Sequence, residues 1–175
     1  MDIYQTIFEV IDTRSFSNLW YWIALAVLWS TASHFVLGVP FDMALKARRR
    51  GGAHMEDLED LVRINCSRLL NIAEISGLIL TGVAMAILTI LAVTGFGYGV
   101  EFSQAIFLML CPMSLVALLS VRTAKRITKD APKGDDLVRQ LRRHRFNVQW
   151  IGMLSIFVTG MWGMYQNLTL GALGG

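Results

Sequence analysis

Thiols, prolines and membrane-depth charges are all scarce in this sequence, and each scarcity excludes something. Its two cysteines are Cys66, in a charged segment, and Cys111, in an apolar one. They cannot meet, so no disulfide is expected, and two separated thiols cannot hold an iron–sulfur cluster within one chain. Of the three histidines, His34 alone falls in an apolar stretch, whereas His54 and His144 lie in charged segments. That argues against a haem held by two histidines of one chain. The spacings HExxH, CxxC, GxSxG and the phosphate-binding loop do not occur. No catalytic residue, metal ligand or cofactor is therefore expected, and the chain is read as a non-enzyme. No internal repeat or low-complexity stretch breaks the chain.

What is abundant is hydrocarbon. The 175 residues are 54% hydrophobic, with a mean hydropathy of +0.50, which is high for an ordinary globular domain. Four windows approach the roughly 20 apolar residues that a bilayer span needs: about 18–38, 75–96, 102–121 and 148–167. The first has no basic segment ahead of it and is too long for a signal peptide core. Charge then gives an orientation. Six Lys/Arg fall between Asp42 and Asn71, and nine between Arg122 and Asn147. The turn between the second and third windows holds Glu101 and no cation. On positive-inside logic both basic segments, 39–74 and 122–147, face the cytoplasm and both termini face the periplasm. Trp20, Tyr21, Trp22, Tyr98, Trp162 and Tyr165 fall where ring systems with a polar edge favour the headgroup zone.

The expected fold is thus all-α: an integral membrane four-helix bundle, one domain over 1–175, with cytoplasmic helical extensions. An N-terminal interfacial amphipathic helix is expected over residues 1–14, where Ile3, Ile7, Phe8 and Ile11 recur at helical spacing. It either lies on the outer leaflet or packs on the outer ends of the spans. Pro40 closes the first span, and Gly51-Gly52 breaks the chain. A second helix is predicted to run from about Met55 to Thr94, with Leu58, Val62, Asn65, Leu69 and Ile72 on one face. The fourth presents Val138, Leu141, Val148 and Ile151. Acid against base is expected between the Glu56–Asp60 run and Arg48–Arg50 or Arg139–Arg145, the alternative being a solvated charged face. Ala73, Gly77, Gly82 and Ala86, and Gly152, Thr159, Gly160 and Gly163, mark close helix contacts.

The stretch "TGFGYGVE", residues 94–101, contains the Gly-Tyr-Gly of potassium filters. A filter is re-entrant and needs a pore helix inside the loop. The short linker leaves no room for one, so the glycines are read as the cap and turn of an αα-hairpin.

Two sets of residues carry the functional expectations. Ser30, Thr31, Ser33 and His34 form a polar strip in the first window, and Glu74 sits at a similar depth in the second. Intramembrane polar groups mark pathways. A His34–Glu74 pair would handle a proton or ion, or else make a structural hydrogen bond. The leading expectation is an oligomeric inner-membrane protein with a channel-like permeation path for ions or small solutes. These five residues would line or gate it. The alternative is a non-enzymatic accessory or scaffold subunit of a membrane assembly. Arg48, Arg49, Arg50, Arg142, Arg143 and Arg145 would contact a protein partner or anionic lipid. A cofactor-bearing redox protein is a third class. The partners expected are the lipid bilayer, further copies of the chain and a protein partner, and no nucleic acid.

The run "RSFSNLWYWIALAVLWSTASHFVLGVPFDM", Arg14 to Met43, resembles the start of a family of short four-span bacterial membrane proteins. Some members are labelled as a component of the SufBCD iron–sulfur assembly complex. The resemblance implies the four-span fold and carries over no functional residue.

Overall fold

A computed structural model describes residues 15–173, and the expected N-terminal helix lies outside them. Those residues form an all-α bundle of five helices: α1 (Leu19–His34), α2 (Phe41–Arg50), α3 (Ala53–Ala92), α4 (Glu101–Asp130) and α5 (Gly134–Leu173). A single 3-10 turn, Ser15–Ser17, precedes α1, and a π-helical turn, Val93–Gly97, ends α3.

The four-span bundle is not what forms. α1 has 16 residues, about 24 Å at 1.5 Å per residue, short of a hydrocarbon core of roughly 30 Å. It stops six residues before Pro40. Phe35–Val36 and Val39–Pro40 pair as a two-residue hairpin (β1 and β2) instead. Leu37 and Gly38 turn between them with φ of 52° and 75°, as tight right-twisted hairpins require. α5 is long, but Gly, Ser, Thr and Gln dilute its apolar half. Among the described residues, only α3 with its π turn and α4 are long and apolar enough to cross a membrane, and their apolar windows are 0% and 17% buried. Four spans packed on one another would bury far more. The assignment to a bacterial inner membrane, multi-pass with both ends periplasmic, loses its basis with the four spans.

Two cores hold the bundle. The lower one packs Phe41, Ala44 and Ala47 of α2 on Leu58, Val62 and Cys66 of α3, Ala124 and Ile127 of α4, and Leu137, Val138 and Leu141 of α5. The upper one is thinner: Phe16, Tyr21, Leu25 and Trp29 against Ala105, Val116 and Val148. α3 runs unbroken over 40 residues, about 60 Å, so one helix serves a core at its base and stands bare above it. Its buried face is Leu58, Val62 and Cys66, while Ile72, expected on that face, is 53% exposed. Val138, Leu141 and Val148 are buried on α5 as expected.

The "TGFGYGVE" stretch is the turn of the α3–α4 hairpin. Gly99 takes a φ of 72° and α4 begins at Glu101. Gly95 must be glycine: a Cβ there would lie 2.9 Å from the Gln104 backbone nitrogen. Gly152 and Gly163 likewise admit Trp29 and Phe16, whereas Gly77, Gly82 and Gly160 meet nothing within 4 Å. The small residues of α3 are therefore not contact faces within the described fold.

Gly95→Ala should lower stability by about 1–3 kcal/mol, the usual range for overpacking. Gly77→Ala, mid-helix in open space, should be neutral or raise it by up to about 1 kcal/mol. Denaturant unfolding in mild detergent checks both.

Candidate functional site

The upper half of the molecule displays hydrocarbon on every helix that reaches it. Leu78 is 90% exposed, Ile75 73% and Leu154 64%. α1 adds Leu19, Ile23 and Val27; α4 adds Phe102, Leu110, Leu115 and Leu118; α5 adds Phe157, Met161 and Leu168. Monomers in water rarely show contiguous apolar patches beyond a few hundred Å². This belt is the dominant surface feature.

Polar groups inside the belt are tied to one another. Gln104, 3% exposed, donates from Nε2 to the Gly95 carbonyl at 2.8 Å. Its Oε1 accepts from Trp162 Nε1 at 2.9 Å and Gln166 Nε2 at 2.6 Å. One amide thus locks the hairpin turn to α5. The Tyr21 hydroxyl donates to the Ala105 carbonyl at 3.2 Å, and Glu101 Oε1 accepts the Phe16 amide at 2.7 Å. Both close α1 onto α4.

Below the belt, Arg145 clamps three elements. Its Nε donates to the Ser33 carbonyl at 3.0 Å, and its guanidinium lies 4.3 Å over the Phe41 ring, a contact worth about 0.5–2 kcal/mol. This arginine, expected to meet lipid or a partner, is held inside the fold. Its neighbour in sequence, His144, is buried. Thr123 Oγ1 gives its proton to the Leu119 carbonyl at 2.8 Å and lies 3.0 Å from His144 Nδ1. On the other side of the ring, Ser120 Oγ, which donates to the Val116 carbonyl at 2.8 Å, stands 3.5 Å from His144 Nε2. Burial holds the His144 imidazole below its ordinary pKa, because a charged ring would lose its hydration.

The permeation residues do not converge. Ser30, Thr31 and His34 are exposed on the outer surface of α1, and Ser33 is partly buried. His34 packs edge-on against Phe35 at 5.0 Å. No hydrogen bond or ion pair joins it to Glu74 among the described residues. The strip lines neither of the two cavities between the helices, and the channel-like reading falls with the packed four-span bundle it required. The scaffold-subunit alternative falls as well, because it presupposed the four-span membrane body that does not form. The expected acid–base packing is also mostly local. Asp60 pairs with Arg63 at 2.9 Å and Asp136 with Arg139 at 3.5 Å. Arg48 and Asp135, 3.6 Å apart, reach between α2 and α5. Glu59 instead caps α5, accepting the Gly134 amide at 2.7 Å. Arg49, Arg50, Arg142 and Arg143 remain exposed.

A cleft of about 900 Å³ lies between the lower part of α3 and the α4–α5 junction. Arg63, Arg68 and Lys133 line it with Glu59, Asp60 and Glu74, so its charge is balanced. The Cys66 thiol at its floor is 1% exposed, and burial raises its pKa, which makes it a poor nucleophile. No group of three or more His, Cys, Asp or Glu placed to hold a metal occurs among the described residues.

Gln104, His144 and Glu59 were missed in the sequence. His144 was readable, since it lies between Leu141 and Val148 on the periodic face of α5; nothing in the pattern marks Gln104. The chain matches no protein-family model, no curated protein and no solved structure.

The His144 site gives a pH dependence. The unfolded chain takes up a proton near pH 6.5, and the folded ring does so only at lower pH. The unfolded state therefore binds more protons in that window, and stability falls as pH drops below about 6.5. His144→Gln should flatten this slope between pH 7.5 and 5.5 in denaturant titrations. Cys66 should react with a maleimide only as the protein unfolds.

Proposed function

We propose that the protein is a non-catalytic binding protein whose upper half seats among lipid acyl chains and presents its lower, charged half to water. The observation that carries this is the distribution of exposed hydrocarbon over α1, α3, α4 and α5 together. A second copy docking by a two-fold axis covers one face of a molecule, whereas acyl chains cover all of them. Fully burying one leucine or isoleucine is worth about 1.5–3 kcal/mol, so this belt supplies ample affinity without any specific contact. Charge supports the same reading. Arg68 and Arg122 are exposed near the lower margin of the belt. Cations at that level gain roughly 1 kcal/mol each beside anionic lipid.

Flotation of the purified protein with phosphatidylcholine vesicles tests this. The protein should rise with the vesicles and stay with them in about 1 M salt, where charge attraction is screened over roughly 3 Å. Leu78→Lys with Ile79→Lys should reduce the floated fraction. A protein that stays in the aqueous layer, detergent-free, as a discrete oligomer would show that copies of the chain cover the belt, and would end the lipid reading.

A further inference from the structure

At the foot of the molecule, away from the belt, three guanidinium groups line one small depression. Arg48 comes from the last turn of α2, and Arg139 and Arg142 stand three residues apart on α5. With Asp135 and the buried Val138 they enclose about 110 Å³. That is three to four times the roughly 30 Å³ that a water occupies in the liquid. It is room for one tetrahedral oxyanion and not for a nucleotide.

The charge in the depression is unbalanced. Asp135 faces Arg48 Nε at 3.6 Å, beyond hydrogen-bond length, and Arg139 leans towards Asp136 at 3.5 Å. Neither contact saturates a guanidinium, each of which has five N–H donors. Arg142 has no ion pair among the described residues. Arg49, Arg50 and Arg143 lie beside these residues in sequence and add positive potential. Arginine suits a planar, forked grip on phosphate better than lysine does.

We propose that Arg48, Arg139 and Arg142 form a binding site for a single phosphate group. The depression spans Asp135 to Arg142 on α5, so its near edge lies three residues and its far edge ten residues before Arg145, about 4.5 to 15 Å along the helix axis. Arg145 itself grips the Ser33 carbonyl at the end of α1. A soluble phosphate ester and a lipid headgroup present the same phosphate chemistry at that level, and the competition experiment below separates the two sources. The proposal is independent of the lipid reading, because it would hold equally if copies of the chain covered the belt. The side chains are well exposed, 50% for Arg48 and 80% for Arg139, so binding is expected in the millimolar range, with water competing for every donor.

The test is thermal unfolding of the full chain in a non-ionic detergent, with sodium phosphate titrated against sodium chloride at matched ionic strength. Phosphate should raise the midpoint saturably, as ligand binding to the folded state requires. Arg48→Gln and Arg142→Gln should weaken the half-saturating concentration at least fivefold, and Arg142→Lys by less. Arg63→Gln, which breaks the distant pair with Asp60, should leave it unchanged. Identical phosphate and chloride curves, or equal weakening by Arg63→Gln, would overturn the site. Glycerol phosphate and phosphatidate in mixed micelles should both compete with phosphate, the stronger competitor identifying a soluble ester or a lipid headgroup as the source; competition by neither would overturn the site.

Discussion

The outer hydrocarbon of the upper half of α3 is left uncovered by the fold, and the rest of the structure is arranged round that constraint. A forty-residue helix can carry such a surface only if its other half is anchored. The anchor is the lower core, where Leu58, Val62 and Cys66 meet α2, α4 and α5 in full burial. α2 is short and strongly amphipathic because its task is to close that core. Its apolar residues face inward and Arg48, Arg49 and Arg50 end it, where the helix dipole favours cations.

Backbone polarity sets the second constraint. Where hydrocarbon faces out, every donor and acceptor must be satisfied within the chain. The hairpin turn at Val93–Gly97 is the weakest point, since a turn frees carbonyls that a helix would use. Gln104 answers it by reaching back nine residues to the Gly95 carbonyl while its oxygen collects Trp162 and Gln166. Each bond alone is worth about 0.5–1.5 kcal/mol net, yet their joint loss would strand a buried amide and an indole N–H. On α1 and α5, Trp29 Nε1 and Ser155 Oγ are buried without hydrogen-bond partners.

Much of this was legible in the sequence, and the misses have particular causes. The long α3, the glycine break at 51–52 and the hairpin at 94–101 follow from local patterns, and local patterns decided them. The first window failed because hydropathy counts side chains and ignores backbone turns: Leu37-Gly38 reads as apolar but folds as a hairpin with positive φ at both residues. The fourth window failed because Gly, Ser, Thr and Gln dilute its hydrocarbon, and two of its glycines, Gly152 and Gly163, make room for Trp29 and Phe16 instead of facing out. The pairing of His34 with Glu74 was inferred from depth alone. Depth does not give azimuth, and His34 turns outward. Cys66 displaced Asn65 from the core by the same small rotation, which leaves Asn65 beside Gly38.

The boundary between the two halves is where the fold spends its polar side chains most deliberately. Arg145 and His144 are adjacent on α5 yet do opposite things. The guanidinium reaches outward over Phe41 to the end of α1, and the imidazole reaches inward to Thr123 on α4. Together they pin α5 to its neighbours at the level where the fully enclosed lower core gives way to the thin upper one. An apolar pair at these positions would pack but would not set the height of α1 against α5, because hydrocarbon contacts slide. Hydrogen bonds of defined direction do set it. The register of the belt on α1 and α5 therefore depends on two polar residues that lie outside it.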